Sequence, residues 1–117
     1  MKNQLMINFE NIKPKILVIG DLIVDQYIWG SSSRISPEAP VQVIDVDKES
    51  TSLGGAGNVV QNLKVLGSEV DIISVIGKCE TSRTLLKLFK EIKVATNYLA
   101  LQKDRIPSKK TRVIAAH

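Results

Sequence analysis

Two continuous runs of aliphatic and β-branched residues limit what this chain can become. Lys15-Ile16-Leu17-Val18-Ile19-Gly20 is one, and residues 70–76, closed by Gly77, are the other. Runs without polar alternation read as strands buried on both faces of a parallel sheet. Between them, from Gly55 onward, Val59, Leu63 and Leu66 recur at helical spacing with Val60 beside them, and Gly67 supplies a C-terminal stop. Past Gly77, Thr81 or Ser82 is placed to cap a second helix whose apolar stripe is Leu85, Leu88, Phe89 and Ile92. Strands alternating with helices predict an α/β fold with a parallel sheet and right-handed crossovers.

The remaining segments fit around that frame. Residues 1–14 end in Lys13-Pro14, where proline disfavours helix in the residue before it, so they are expected to form an N-terminal tail ahead of a domain over 15–117. Residues 27–30 read as a short strand and Ser31 to Ser33 as a turn. Val41-Gln42-Val43 then alternates apolar and polar before the acidic stretch 45–49. These pieces predict a small accessory sheet with one wet face. Beyond Val94, residues 97–101 and 112–116 predict two further strands joined by a basic, proline-containing loop. There is no internal repeat and no low-complexity tract.

Composition excludes several classes. Hydrophobic residues make up 44% and charged residues 24% of the 117, far from the profile of a disordered chain. The net charge of +4 arises largely from Lys103, Arg105, Lys109, Lys110 and Arg112, opposed locally by Asp104 alone. A short basic run suits a solvated surface or an anionic small molecule, and aromatics at 4% leave little to stack on bases, so no nucleic-acid partner is expected. Cys79 is the single cysteine, with no Cys or His at metal-ligand spacing. No stretch in residues 1–10 is long enough for a signal peptide, and no apolar run approaches a membrane span, so a cytoplasmic location and no membrane partner are expected.

Three places can carry chemistry. Asp21 and Asp25 follow the first strand, where open α/β sheets bind ligands, so an acidic residue there can grip sugar hydroxyls; a capped turn is the plain reading. Leu53-Gly54-Gly55-Ala56-Gly57-Asn58 opens a helix. Glycines let a ligand approach the backbone, and the free amides of a helix start can donate to its oxygens. This cluster lacks dinucleotide-binding spacing. Ser33-Arg34-Ile35-Ser36-Pro37-Glu38-Ala39-Pro40 reads as a rigid loop in which Arg34 and Glu38 can pair locally. His117, the last residue, is assigned no role.

Together these pieces resemble the ribokinase-like carbohydrate kinases, the pfkB family, over residues 15–117. Gly54, Gly55, Ala56, Asn58, Gly67 and Gly77 match the family's first signature in type and spacing, and Val60 departs from it, where the family carries a small residue. The segment Arg34-Ile35-Ser36-Pro37-Glu38-Ala39-Pro40 is similar to the branch acting on D-glycero-D-manno-heptose 7-phosphate in ADP-heptose synthesis. Val18-Ile19-Gly20-Asp21 with Asp25, and Lys110-Thr111-Arg112-Val113-Ile114, are similar to the same branch.

The resemblance implies phosphoryl transfer from ATP, with Mg2+, to a sugar hydroxyl, and a sugar phosphate as substrate. It implies that Asp25, Gly54, Gly55 and Asn58 meet the sugar, and that Lys110 and Arg112 lie on a lid strand, one of them meeting the substrate's phosphate. The expected architecture is α/β and ribokinase-like: a partial parallel sheet flanked by helices with a small β-sheet lid, incomplete at the C-terminus. The family's Gly-Ala-Gly-Asp motif, with its base aspartate, does not occur in the sequence, so no catalytic residue is expected here. ATP and Mg2+ are not expected to bind this stretch well. The competing expectation is a non-catalytic interaction module or decayed gene product whose lid strands pair with another subunit, and a homodimer through the lid is compatible with either.

Overall fold

The computed structural model describes Asn8 and residues 10–116. Most of the expected tail, and His117, lie outside the described residues. Residues 12–14 carry no helix or strand, and Pro14 accepts a hydrogen bond from the Glu69 amide at 2.9 Å.

Eight elements follow in the order β1 (Lys15–Ile19), β2 (Leu22–Ile35), β3 (Gln42–Gly55), α1 (Ala56–Val65), β4 (Glu69–Ile76), α2 (Glu80–Glu91), β5 (Leu99–Leu101) and β6 (Ser108–Ala116). They make two three-stranded sheets. The first has the order β1-β4-β5, with both pairings parallel. The second has the order β3-β2-β6, antiparallel between β2 and β3 and parallel between β2 and β6.

The core lies on one face of the first sheet. Val70, Ile72 and Ile76 alternate along β4 and join Val60 of α1 with Leu85 and Phe89 of α2. Leu22, Val24 and Leu53, at the base of the second sheet, and Val94, beyond α2, complete the cluster. Val60, Ile72, Leu85 and Phe89 are fully buried. Burying side chains of this size contributes ~1.5–3 kcal/mol each.

The opposite face corrects the expectation of strands buried on both sides. Leu17, Ile19, Ile73 and Val75 point away from the helices and are exposed, Ile19 to 71%. The sequence has the double-sided apolar pattern, but both helices contribute to the single core and cover only one side.

The lid is longer than its sequence suggested. Residues 27–30 and 41–43 are parts of a hairpin of two 14-residue strands, roughly 45 Å each when extended. Ser31 to Ser33 are strand, not turn. The chain reverses instead at 36–41, where the Ser36 amide donates to the Val41 carbonyl at 2.7 Å. Bulges between Trp29 and Gly30 and between Ser32 and Arg34 absorb the register shifts that a strand this long accumulates. Strand β6 begins at Ser108, so Lys109 and Lys110 belong to the sheet rather than to the basic loop.

Both helix ends are instructive. Gly67 adopts φ 91°, its amide donates to Lys64 and that of Ser68 to Leu63, closing α1 as its glycine predicted. The expected stripe on α1 is rotated: Val59 and Leu66 are exposed, whereas Val60 and Gly57 face the core. The entry to α2 also differs from expectation. Cys79 is its N-cap residue, and no side chain caps it. Ser82, 2% exposed, instead accepts a hydrogen bond from the Gly77 amide at 3.0 Å.

Candidate functional site

Of the other five residues that the resemblance assigned to the substrate, Gly54 and Arg112 lie against Asp25, Lys110 is opposite it in register, and Gly55 and Asn58 follow Gly54 into α1. That aspartate lies within β2 rather than in a capped turn, paired in register with Ser52 of β3 on one side and Lys110 of β6 on the other. Alternation along β2 puts Asp25, Tyr27 and Trp29 on one face, shared with Lys110 and Arg112 of β6.

The glycine pair ends β3 beside it. A Cβ on residue 54 would stand 2.5 Å from Asp25 Oδ2, so glycine leaves the room the carboxylate occupies. Gly55 has φ 57°, a conformation that L side chains adopt rarely, and a Cβ there would meet the Asp21 carbonyl at 2.6 Å. That carbonyl accepts the Ala56 amide at 2.9 Å, fixing where α1 begins. Gly55 is the N-cap residue and makes no side-chain cap, and Asn58, in the first turn, is exposed. The start of α1 thus follows directly on Gly54, which lies against the Asp25 carboxylate, with Asn58 exposed in its first turn.

Arg112 reaches diagonally across the sheet. Its Nη1 donates to Asp25 Oδ1 at 3.2 Å, with side-chain exposures of 46% and 25%. An ion pair this open to solvent contributes only ~0–1 kcal/mol, so its consequence is geometric rather than energetic. One carboxylate oxygen is tied to the lid and the other rests over Gly54. Lys110, opposite Asp25 in register, is exposed and, among the described residues, in no ion pair.

Several residues were missed in sequence. Tyr27 and Trp29 stack with ring centroids 5.6 Å apart, Arg112 lies 5.2 Å from the Tyr27 centroid, and Lys48 of β3 lies 5.0 Å over Trp29. The signal was available, since residues 25, 27 and 29 are spaced by two on a strand. Asp21 forms an ion pair with Arg105 at 3.5 Å, which brings the basic loop back to the end of β1. Gly77 is needed for the same loop, because a Cβ there would overlap the Arg105 carbonyl. Arg34 and Glu38 do not form the local ion pair considered for them.

Cys79 has its thiol held below the usual range by a hydrogen bond with Ser82, Sγ to Oγ 3.3 Å, aided by backbone amides. It lies at the start of α2, as its N-cap residue. Among the described residues no group of three or more His, Cys, Asp or Glu side chains is placed to hold a metal ion. Among them, too, no helix is long and apolar enough to cross a membrane.

A one-sided α/β sheet with a β-lid packed beside it is the arrangement of part of a ribokinase-like fold. Residues 13–117 match the model of the pfkB family carbohydrate kinases, and the chain belongs to that family. It is 57% identical over 104 residues to the bifunctional protein HldE of Aliarcobacter butzleri, covering 89% of this chain and 22% of that protein. It is 54% identical over 107 residues to HldE of Sulfurimonas denitrificans, covering 92% and 22%. The chain thus spans about a fifth of the length of these relatives.

Among solved structures, a carbohydrate kinase from Agrobacterium tumefaciens superposes with a TM-score of 0.67 at 25% identity, over 87% of this chain and 32% of that one. A fructokinase from Xylella fastidiosa with bound ATP superposes with a TM-score of 0.60 at 17% identity, over 87% and 30%, and supports the fold alone.

Proposed function

We propose that this chain forms the sugar-binding face and lid of an ATP-dependent carbohydrate kinase acting on D-glycero-D-manno-heptose 7-phosphate, in the supply of ADP-heptose. The observation that carries the reading is the division of the Asp25 carboxylate, Oδ1 on Arg112 and Oδ2 over Gly54. An acceptor beside a helix start, with cations on the covering strand, suits a polyhydroxylated ligand bearing an anionic group. The identity to HldE proteins supports the heptose branch.

In this reading Asp25 accepts from sugar hydroxyls, Gly54 and Gly55 let the sugar approach the backbone, and Asn58 bridges hydroxyls from the first turn of α1. Arg112 or Lys110 meets the phosphate already on the sugar. ATP supplies the transferred phosphoryl group when bound, and the Gly-Ala-Gly-Asp motif to which the family's base aspartate belongs does not occur in the sequence. The 117 residues alone are therefore expected to bind the sugar phosphate without turning it over.

Calorimetric titration of this chain with D-glycero-D-manno-heptose 7-phosphate tests the reading, beside a coupled assay for ADP release. Binding that Asp25→Asn abolishes, without ADP release, is expected. No binding to a folded chain would overturn the assignment, and substrate-dependent ADP release would overturn the expected inactivity.

A further inference from the structure

We propose that Tyr27 and Trp29 are positioning residues, which hold the Arg112 guanidinium against Asp25 and so set the lid cation that faces the ligand. The inference rests on the sugar-phosphate reading only for what Arg112 then meets.

Three strands of the lid contribute to one ladder on a single face. Arg112 comes from β6, the two rings from β2 and Lys48 from β3. The guanidinium lies 5.2 Å from the Tyr27 centroid, the Tyr27 and Trp29 rings are 17° from parallel, and the Lys48 ammonium lies 5.0 Å over Trp29. Asp25 closes the other end through its hydrogen bond to Arg112 Nη1.

The ion pair alone does not explain why Arg112 takes this position. Its side chain is nearly half exposed, and a solvated pair barely offsets the rotamer freedom that a long side chain loses. In register, Arg112 is opposite Tyr27 and Lys110 is opposite Asp25. Lys110 is thus nearer along the ladder, yet Arg112 makes the contact with the carboxylate. A planar guanidinium gains from an aromatic face as an ammonium on a flexible stem does less readily, and the Tyr27 ring provides that face. Trp29 backs the ring, and Lys48 makes a second cation contact at the far end. With one donor on Asp25, the guanidinium retains others for an anionic oxygen of the ligand.

Trp29 is the only tryptophan in the 117 residues, so its emission reports on the ladder without any ligand. We expect Arg112→Met to displace that emission in the wild-type background and to add nothing in Tyr27→Val, while Tyr27→Phe resembles the wild type. Emission unmoved by Arg112→Met would overturn the ladder, whatever the site binds.

Titration with D-glycero-D-manno-heptose 7-phosphate then measures the consequence. Tyr27→Val should weaken binding about two- to fivefold, and Tyr27→Phe should restore it. Circular dichroism checks that each variant is folded. If Tyr27→Val does not fold, Arg112→Lys takes its place, since it keeps the charge and loses the planar contact, with the same weakening expected. Equal affinity in the wild type and the folded variants would overturn the positioning role. If the wild type does not bind the heptose phosphate, the functional reading falls, and the emission of Trp29 alone decides the roles of Tyr27 and Trp29.

Discussion

Asp25 and Gly54 are fitted to each other: Oδ2 of the aspartate occupies the space that a Cβ on residue 54 would approach to 2.5 Å. The two residues are on adjacent strands, and the glycine is buried beneath the carboxylate. Gly54→Ala should therefore displace the carboxylate, whose one tie is the solvent-open pair with Arg112, more than it disturbs the core, although the new Cβ also approaches Ile23 Cβ to 3.2 Å. Overpacking costs of ~1–3 kcal/mol set an upper range for the stability loss, with the lower end expected because the neighbour can move. Sugar-phosphate affinity should fall tenfold or more. Chemical denaturation beside calorimetric titration measures both, and unchanged affinity with a large stability loss would make Gly54 a packing residue only.

Asn58→Ala separates ligand contact from capping. The cap position of α1 is Gly55, with no side-chain bond, and Asn58 is exposed in the first turn. Its removal should leave the melting temperature nearly unchanged. Losing a side chain that bridges ligand hydroxyls should cost ~1–3 kcal/mol of binding for each hydroxyl left unpaired. A lowered melting temperature with unchanged binding would show that Asn58 supports the helix instead.

How much of this was legible depended on whether the signal was local. The parallel strands β1 and β4, the glycine stop at Gly67 and the stripe Leu85, Leu88, Phe89 and Ile92 follow from residues within one element. The end of α2 did not, because Lys93 takes the left-handed conformation (φ 57°) where glycine is usual, and the Val94 amide closes the turn on the Phe89 carbonyl. Lid length was underestimated for a different reason. Serines and charged residues at 31–33 and 45–50 look like turn and loop by composition, yet the exposed faces of an antiparallel hairpin tolerate them. The convergence on Asp25 required tertiary pairing, since Arg112 is 87 residues away from it in sequence.

Lys110 and Arg112 are expected to differ. Among the described residues Lys110 is in no ion pair, whereas Arg112 is tied to Asp25 and lies over the Tyr27 ring. Lys110→Ala should weaken binding of the sugar phosphate and leave that of the unphosphorylated sugar nearly unchanged. Arg112→Ala should weaken both, because it also releases the carboxylate that meets the hydroxyls. Paired titrations with heptose and heptose 7-phosphate measure this. Equal loss of both ligands in Lys110→Ala would mean that the lysine does not read the phosphate.

The uncovered face of the first sheet leads to the last expectation. Leu17 and Ile19 of β1 lie in register with Asp71 and Ile73 of β4, and Leu17, Ile19, Ile73 and Val75 are between 37% and 71% exposed. Leu17, Asp71, Ile73 and Tyr98 also line a shallow depression on this side. β1 is an edge strand as well, so both its outer edge and its outer face lack a neighbour within the described residues. Contiguous apolar area of several hundred Å² is unusual on a stable monomer, and an apolar edge strand is a template for pairing. This 117-residue chain should therefore self-associate as its concentration rises. Ile19→Lys and Ile73→Lys should each reduce that association. Substitution at exposed positions away from caps and cores should change stability by no more than ~0.5 kcal/mol. Sedimentation velocity over a concentration series distinguishes this route from association through the lid, which neither substitution touches. If both variants associate as the wild type does, the lid edges carry the contact; a compact monomer at all concentrations, with a single sharp thermal transition, would overturn self-association by either route.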